Sequence, residues 1–502
     1  MSAAPSVHAV AASAARRAGP GRGPTAARVL RSGAVLAFGA AALAFTLGVV
    51  NQSLATVSLA GLFAGLAFIG QDVARIRRGG LSPATFYALG FAATSLGNVA
   101  AFMNEDGPRR ATYFLYSVES QLMLATMLSL AGGVIPILAF RAVLREPAIR
   151  MWADMLPTVI GRVRDRQLVF GAVALTLLSF ASRLVPAPAA LGTVSFFYLQ
   201  IPLFATFVLA RAGAQRRVPY AMPAALVIAL LEAARAVLQS YLRIEIVAPL
   251  FAFATGALIG ARSTRPLRSI WFIPIYVAGA AFIIGFGAFG EARTQTSGGV
   301  ERISAVYART EPAPEAAPAS QQTLLSRLTS FNQLSQVGRV VEEDGFLGGE
   351  TLEYLAYAFV PRALWPEKPL IAKGSWFAVR IGLAYRRADG RYSNSVNMTI
   401  PGELYLNFGW FGVVAGCSIF GGLLAALWTR TRFWTDPTNV PGGAFGFYLL
   451  SLGVGLGADL QIIVTVIAMY LIFLAVGAGL RTVAGVRERA PGKTGPLRRH
   501  AA

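Results

Sequence analysis

The sequence predicts an all-α polytopic membrane protein with about 12 transmembrane helices and one long outer loop. Of its 502 residues, 55% are hydrophobic and only 14% are charged, whereas charged residues make up about a quarter of an ordinary soluble domain. A soluble chain this apolar would lack the polar surface to cover itself. The composition therefore excludes an intrinsically disordered chain, a disulfide-stapled secreted domain and an ordinary soluble enzyme.

Twelve apolar runs approach the length of about 20 mostly apolar residues that a membrane-spanning helix needs. They cover residues 34–50, 54–71, 81–103, 113–140, 168–186, 192–210, 219–241, 245–261, 270–289, 410–429, 443–458 and 461–480. Two of the runs are short, so the sequence supports between ten and thirteen spans. The single cysteine, Cys417, lies inside the tenth run, where we expect it to be buried as a small hydrophobic side chain.

The distribution of basic residues predicts the orientation of these spans. With the N-terminus in the cytoplasm, the cytoplasmic loops and tails hold 28 basic and six acidic residues, while the rest of the chain holds 17 basic and 18 acidic residues. Short cytoplasmic loops carry an excess of Lys and Arg, so we expect both termini in the cytoplasm. The net charge of +21 therefore mostly reports orientation. It does not indicate a nucleic-acid partner, because no nucleic-acid-binding motif is present.

The topology divides the chain into five parts. We predict a disordered basic cytoplasmic tail at 1–33, transmembrane helices 1–9 at 34–289, a large extracytoplasmic loop with the candidate active site at 290–409, helices 10–12 at 410–480, and a basic cytoplasmic tail at 481–502. Within the loop, residues 321–340 have helical spacing. Their apolar face holds Leu324, Leu325, Leu328, Phe331 and Leu334. Such a helix either lies at the membrane surface or packs on the outer ends of the spans.

A basic, proline-rich stretch of the loop is a candidate phosphate site. The chain has only three Lys, and two of them, Lys368 and Lys373, closely follow Trp365. A Lys ammonium suits a phosphate as a point charge, and Arg offers the same group a bidentate fork. Further candidates are Arg362, Arg380 and Arg391. Trp365 suits the headgroup level of a bilayer. The alternative interpretation of these Lys and Arg residues is a loop face that is simply exposed to solvent.

A polar run at 393–410 enters the tenth span. Asn394, Asn397, Tyr405 and Asn407 offer side chains that can hydrogen-bond sugar hydroxyls. Glu403 can accept a proton from an attacking hydroxyl, or it can simply complement the helix N-terminus after Pro401.

Charged residues inside the predicted spans form a separate lead, because burying a charge in a membrane is costly. Glu232 and Arg235 are spaced i,i+3 and are able to neutralise each other. Arg183 lies near the outer end of the fifth span, where it is a further candidate for the phosphate site. Asp459 sits between the last two spans and is interpreted as a turn residue.

The runs P-R-A-L-W-P-E-K-P at 361–369 and G-E-L-Y-L-N-F-G at 402–409 resemble those of bacterial oligosaccharide repeat-unit polymerases, the Wzy-type O-antigen and exopolysaccharide polymerase family. The specific match covers roughly residues 355–425. The resemblance implies a GT-C-like membrane glycosyltransferase of the bacterial cytoplasmic membrane. Such enzymes join undecaprenyl-diphosphate-linked repeat units on the outer face of that membrane. It also implies a chain-length regulator and a flippase as partners.

The chemistry that the resemblance implies assigns roles to the candidates. A diphosphate leaving group needs positive charge, which Arg362, Lys368 and Lys373 would supply, with Arg380 and Arg391 in reserve. Glu403 would act as the base for the acceptor hydroxyl. No cofactor and no metal site are expected. The alternatives are a transporter or flippase of a lipid-linked glycan and a non-catalytic subunit of an envelope glycan assembly machine.

Overall fold

A computed structural model of the chain describes residues 26–76, 80–103, 119–183, 200–215, 218–239, 243–284, 329, 331–360, 364–365, 367–369, 373–386, 392–436, 438–453 and 459–483. Within these ranges the chain forms sixteen α-helices, three short 3-10 helices and no strand.

Ten of the helices precede the long loop. They are α1 (Ala26–Val50), α2 (Leu54–Val73), α3 (Pro83–Met103), α4 (Glu119–Arg145), α5 (Pro147–Asp154), α6 (Asp165–Ser182), α7 (Ile201–Ala214), α8 (Ala221–Gln239), α9 (Arg243–Ala261) and α10 (Ile273–Ile284). Two 3-10 helices, Arg265–Arg268 and Ile270–Phe272, connect α9 to α10.

Six helices follow within the loop and after it. They are α11 (Phe331–Asp344), α12 (Tyr354–Tyr357), α13 (Lys373–Arg380), α14 (Ile400–Arg430), α15 (Val440–Leu452) and α16 (Gln461–Val483). A third 3-10 helix, Glu350–Leu352, precedes α12.

The helices confirm the prediction of a multi-pass, all-α membrane protein. Among the described residues, six helices are long and apolar enough to cross a membrane, namely α1–α4, α14 and α16. Each of the twelve predicted apolar runs contains a helix, although several of these helices are short. Large apolar side chains cover the outside of the bundle: Phe170, Leu178, Phe411 and Ile419 are 63–81% exposed. Lipid explains such a surface, since a soluble protein rarely exposes an apolar patch of this extent.

Glycines let neighbouring helices approach closely. A Cβ at Gly421 of α14 would overlap the carbonyl of Pro136 in α4, and one at Gly260 of α9 would overlap the carbonyl of Arg211 in α7. Gly256, one turn before Gly260, is equally close to α7. Small residues four apart favour this packing in membranes, where lipid provides no hydrophobic force between helices. Cys417, on α14, is fully buried as predicted.

The described residues between 331 and 399 lie at one end of the bundle, which we call the loop face. Phe331, Leu334, Val337 and Val340 form the buried side of α11, and this helix packs on α4 and α14. Packing on the spans is thus the correct one of the two predicted alternatives. Leu324, Leu325 and Leu328 lie outside the described residues.

Two buried polar contacts join helices at the opposite end of the bundle. Arg141 of α4 forms an ion pair with Asp72 of α2 at 2.9 Å, and Thr85 of α3 donates to the same carboxylate at 2.7 Å. The Asn439 amide donates to the carbonyls of Val159 at 2.6 Å and Thr431 at 3.0 Å. The buried side chains of Asp72 and Asn439 thus have hydrogen-bond partners, as buried polar groups need. Both contacts also connect segments that are far apart in the sequence.

The helix α14 is broken at Gly409, whose φ of 62° and ψ of −151° are not helical. In a continuous helix each carbonyl accepts from the N–H four residues later. Next to this break, the carbonyls of Leu406 and Asn407 instead accept from the N–H groups of Leu347 at 3.0 Å and Gly348 at 3.1 Å. The break therefore attaches the turn after α11 to the start of α14.

We predict that Gly409→Ala lowers the free energy of unfolding by about 1–3 kcal/mol, because only glycine readily adopts this backbone conformation. The new Cβ would also lie 3.0 Å from the ring of Phe346. Thermal unfolding in detergent measures the effect. Gly171→Ala is the control, since its Cβ would meet nothing within 4 Å inside α6. Equal stability of the two variants would contradict the prediction.

Candidate active site

Glu403 lies in the first turn of α14, on the loop face. The turn is started by Thr399, whose hydroxyl accepts from the N–H of Gly402 at 3.4 Å, and by Pro401, which suits a first helical turn. Thr399 has φ of 64° and ψ of 160°, a strained conformation for a β-branched residue. The Asn397 side chain accepts from the Thr399 N–H at 2.8 Å. Asn397 thus supports the turn that carries Glu403.

The Glu403 side chain is fully buried, and three donors surround its carboxylate. Oε1 forms an ion pair with the Lys373 ammonium and accepts from the Thr351 hydroxyl at 3.3 Å. Oε2 accepts from the backbone N–H of Leu460 at 3.2 Å. A buried carboxylate is stable only when its charge is paired and hydrogen-bonded, and both conditions are met here.

Lys373 begins α13 and is 10% exposed, so it is the member of the ion pair that reaches the surface. Its ammonium lies 3.5 Å from the centroid of the Tyr354 ring, a cation–π contact. Burial lowers the pKa of Lys373, although the neighbouring Glu403 carboxylate opposes this shift. Burial also raises the pKa of Tyr354, as do the charges of Glu403 and Asp459.

Asn407, one turn after Glu403, connects the carboxylate to the turn after α11. Its amide donates to the Thr351 hydroxyl and to the backbone carbonyl of Glu403, both at 2.7 Å. Its side-chain oxygen accepts from the N–H of Gly349 at 3.0 Å. We call Glu403, Lys373, Tyr354, Thr351 and Asn407 the polar cluster.

The polar cluster places the Lys373 ammonium at the surface and the Glu403 carboxylate behind it. Glu403 has no exposed surface, so a ligand would reach Lys373 first. The hydroxyl of Tyr354 is buried and has no hydrogen-bond partner among the described residues. Lys373 is therefore the group of the cluster that a ligand at the surface would meet.

In the proline-rich loop, the predicted ligands Lys368 and Trp365 contact neighbouring residues of the same segment. The Lys368 ammonium donates to the carbonyls of Ala358 at 2.8 Å and Val360 at 2.9 Å. Trp365 is 40% exposed and meets the Tyr357 ring edge-on at 6.1 Å. These contacts hold the loop together, and substrate binding by Lys368 and Trp365 stays a prediction. Arg362 lies outside the described residues, as does Arg391.

Three further predicted ligands have local partners on the loop face. Arg380 binds Asp344 with two hydrogen bonds, one of them from Nε at 2.7 Å. The Asn394 amide donates to the carbonyl of Leu383 at 3.4 Å. The Tyr405 ring lies between Phe346 and Trp410, with centroid distances of 5.7 and 5.8 Å.

Arg183 belongs to an ion network at the end of α6. Its guanidinium donates to Glu232 at 2.9 and 3.1 Å. Arg235 pairs with Glu232 at 2.9 Å and with Glu245 at 3.0 Å. The predicted i,i+3 neutralisation is thus confirmed, while a role for Arg183 in the phosphate site stays a prediction.

Three residues near the ion pair were not selected from the sequence. Thr351 carries no sequence signal, because its neighbours Glu403 and Asn407 are more than 50 positions away. Tyr354 belongs to an apolar-aromatic stretch. Asp459 accepts from the Gln461 N–H at 3.1 Å, as a turn residue does, and its charge, like that of Glu403, opposes the lowering of the Lys373 pKa by burial.

Within the part of the chain that the structure describes, no group of three or more His, Cys, Asp or Glu side chains is placed to hold a metal ion. No protein-family model, curated protein or solved structure matches the chain. The polymerase family therefore remains a prediction from two sequence motifs.

We predict that Lys373→Met lowers the free energy of unfolding by about 3–5 kcal/mol, because the buried Glu403 carboxylate then lacks its counter-ion. Adding Glu403→Gln should recover part of the loss, and thermal unfolding of both proteins in detergent measures it. Arg380→Met, at the other end of α13, is the matched control. Its pair with Asp344 is 41% and 29% exposed, and such pairs contribute about 0–1 kcal/mol. Equal losses for Lys373→Met and Arg380→Met would contradict the prediction.

Proposed function

We propose that the chain polymerises undecaprenyl-diphosphate-linked oligosaccharide repeat units at the outer face of the bacterial cytoplasmic membrane. The observation that carries this proposal is the ion pair between Lys373 and Glu403. It brings a predicted phosphate ligand together with the predicted base, from segments 30 residues apart. Asn407, from the same 402–409 motif, holds the pair in place through Thr351.

The proposed topology has twelve spans in a GT-C-like arrangement, with both termini in the cytoplasm. Support comes from the helix found in each predicted apolar run and from the basic predicted cytoplasmic loops. The loop face then lies outside, where lipid-linked repeat units would be joined.

The proposed reaction needs positive charge on its leaving group. The bond between the anomeric carbon of the growing chain and its diphosphate breaks, and the diphosphate keeps the electron pair. A hydroxyl of the incoming unit bonds to that carbon and passes its proton to water. A cation next to the departing phosphate stabilises the developing charge, and Lys373 is the cluster cation with exposed surface.

The environment of Glu403 favours a positioning role over direct contact with substrate. Its carboxylate is fully buried and occupied by three donors. In this state it orients the Lys373 ammonium over the Tyr354 ring. To act as the base, Glu403 would have to exchange one of these donors for the acceptor hydroxyl.

The direct test is polymerisation by the purified, reconstituted protein with a lipid-linked repeat unit, followed as chain length on a gel. We expect Lys373→Met to lower the rate by about 100-fold, the effect typical of removing one group that stabilises transition-state charge. Glu403→Gln should lower kcat more than it raises KM for the lipid-linked unit, because a displaced ammonium no longer stabilises the charge that develops on the departing phosphate.

Arg339→Met is the control, since it removes an ion-paired cation of α11 on the same face. Wild-type rates for folded Lys373→Met protein would refute the site. A wild-type protein that never extends the chain would refute the enzyme. If that protein instead moved the lipid-linked glycan across a vesicle membrane, the transporter alternative would stand.

A further inference from the structure

A second candidate site lies at the end of the bundle opposite the loop face. An open cavity of about 740 Å³ is lined by the end of α7, the start of α8, the end of α9 and the two 3-10 helices that follow. Arg262, at its edge, donates to the carbonyl of Trp434 at 3.0 Å. Trp434 follows the end of α14, which places the cavity at the predicted cytoplasmic side.

The lining of the cavity is divided by polarity. Arg262, Arg265, Ser263 and Ser269 provide cationic and hydroxyl groups, and Met222 and Phe272 belong to the apolar part. No Asp or Glu occurs among the lining residues. Guanidinium and hydroxyl groups together bind a phosphate, and the apolar part suits a hydrocarbon group next to it.

The surroundings of the cavity make it reachable from lipid. Ile270 lies between two lining residues, Ile273 and Val277 follow them along the chain, and the three are 73%, 56% and 65% exposed. On a membrane protein these side chains contact acyl chains. Trp271, which lines the cavity and is 39% exposed, is typical of the headgroup level. A ligand can therefore enter sideways from the bilayer.

We propose that this cavity binds the phosphate group of an anionic phospholipid, with the acyl chains along α10. Charge complementarity selects an anion, because the lining holds two arginines and no carboxylate. The adjoining apolar surface favours a lipid over a soluble phosphate. Basic pockets between transmembrane helices on the cytoplasmic side are suited to anionic headgroups. The site is separate from the polar cluster and does not depend on the proposed polymerase activity.

The test is a titration of the purified full-length protein in detergent, with bound lipid counted by native mass spectrometry. The probes are phosphatidylglycerol and phosphatidylcholine with the same acyl chains. We expect tighter binding of phosphatidylglycerol, and a loss of about fivefold in that preference for Arg265→Gln, the effect of one surface arginine on an anionic headgroup. Arg265→Lys keeps the charge and should retain most of the preference.

Arg268→Gln is the matched control, because Arg268 shares the 3-10 helix of Arg265 and does not line the cavity. The proposal is overturned if Arg268→Gln weakens binding as much as Arg265→Gln does. It is also overturned if the wild-type protein binds the two lipids equally. Displacement of phosphatidylglycerol by glycerol 3-phosphate alone would show that the site takes a soluble phosphate, which again excludes the lipid.

Discussion

The buried carboxylate of Glu403 is the constraint on which the organisation of the loop face depends. A carboxylate removed from water is stable only with a counter-ion and hydrogen bonds in place. Three separate segments supply them: Lys373 from the start of α13, Thr351 from the turn before α12, and the N–H of Leu460 before α16. Satisfying one carboxylate thus fixes three segments around the start of α14.

The break at Gly409 gives this arrangement its backbone frame. It accompanies the pairing of the Leu406 and Asn407 carbonyls with the turn after α11, and the side chain of Asn407 binds the same turn at Gly349. Thr351 follows two residues later and reaches Glu403. The short helix before the break and the long helix after it therefore have different roles: the first carries Glu403 and Asn407 of the polar cluster, and the second crosses the bundle.

The sequence predicts the helices well, because a chain in lipid must satisfy its backbone within each helix, and a long apolar run identifies one. Helix ends are less predictable: the run at 443–458 corresponds to Val440–Leu452. Glu403 and Lys373 were both selectable by residue type, but their pairing depends on tertiary structure. The same limit explains Lys368 and Arg380. Both were selected as phosphate ligands by charge. In the fold, Lys368 donates to two backbone carbonyls, and Arg380 pairs with Asp344.

The cations of the loop face and those of the cavity differ in their partners. On the loop face, a carboxylate is paired with each of Lys373, Arg380 and Arg339. A phosphate that binds one of these cations there competes with its carboxylate partner. At the opposite end, Arg265 lines a cavity without an Asp or Glu. A ligand of the loop face must therefore exchange partners with the protein, as a substrate that binds and leaves can do. An anionic ligand of the cavity meets no carboxylate among the lining residues, which suits a resident lipid.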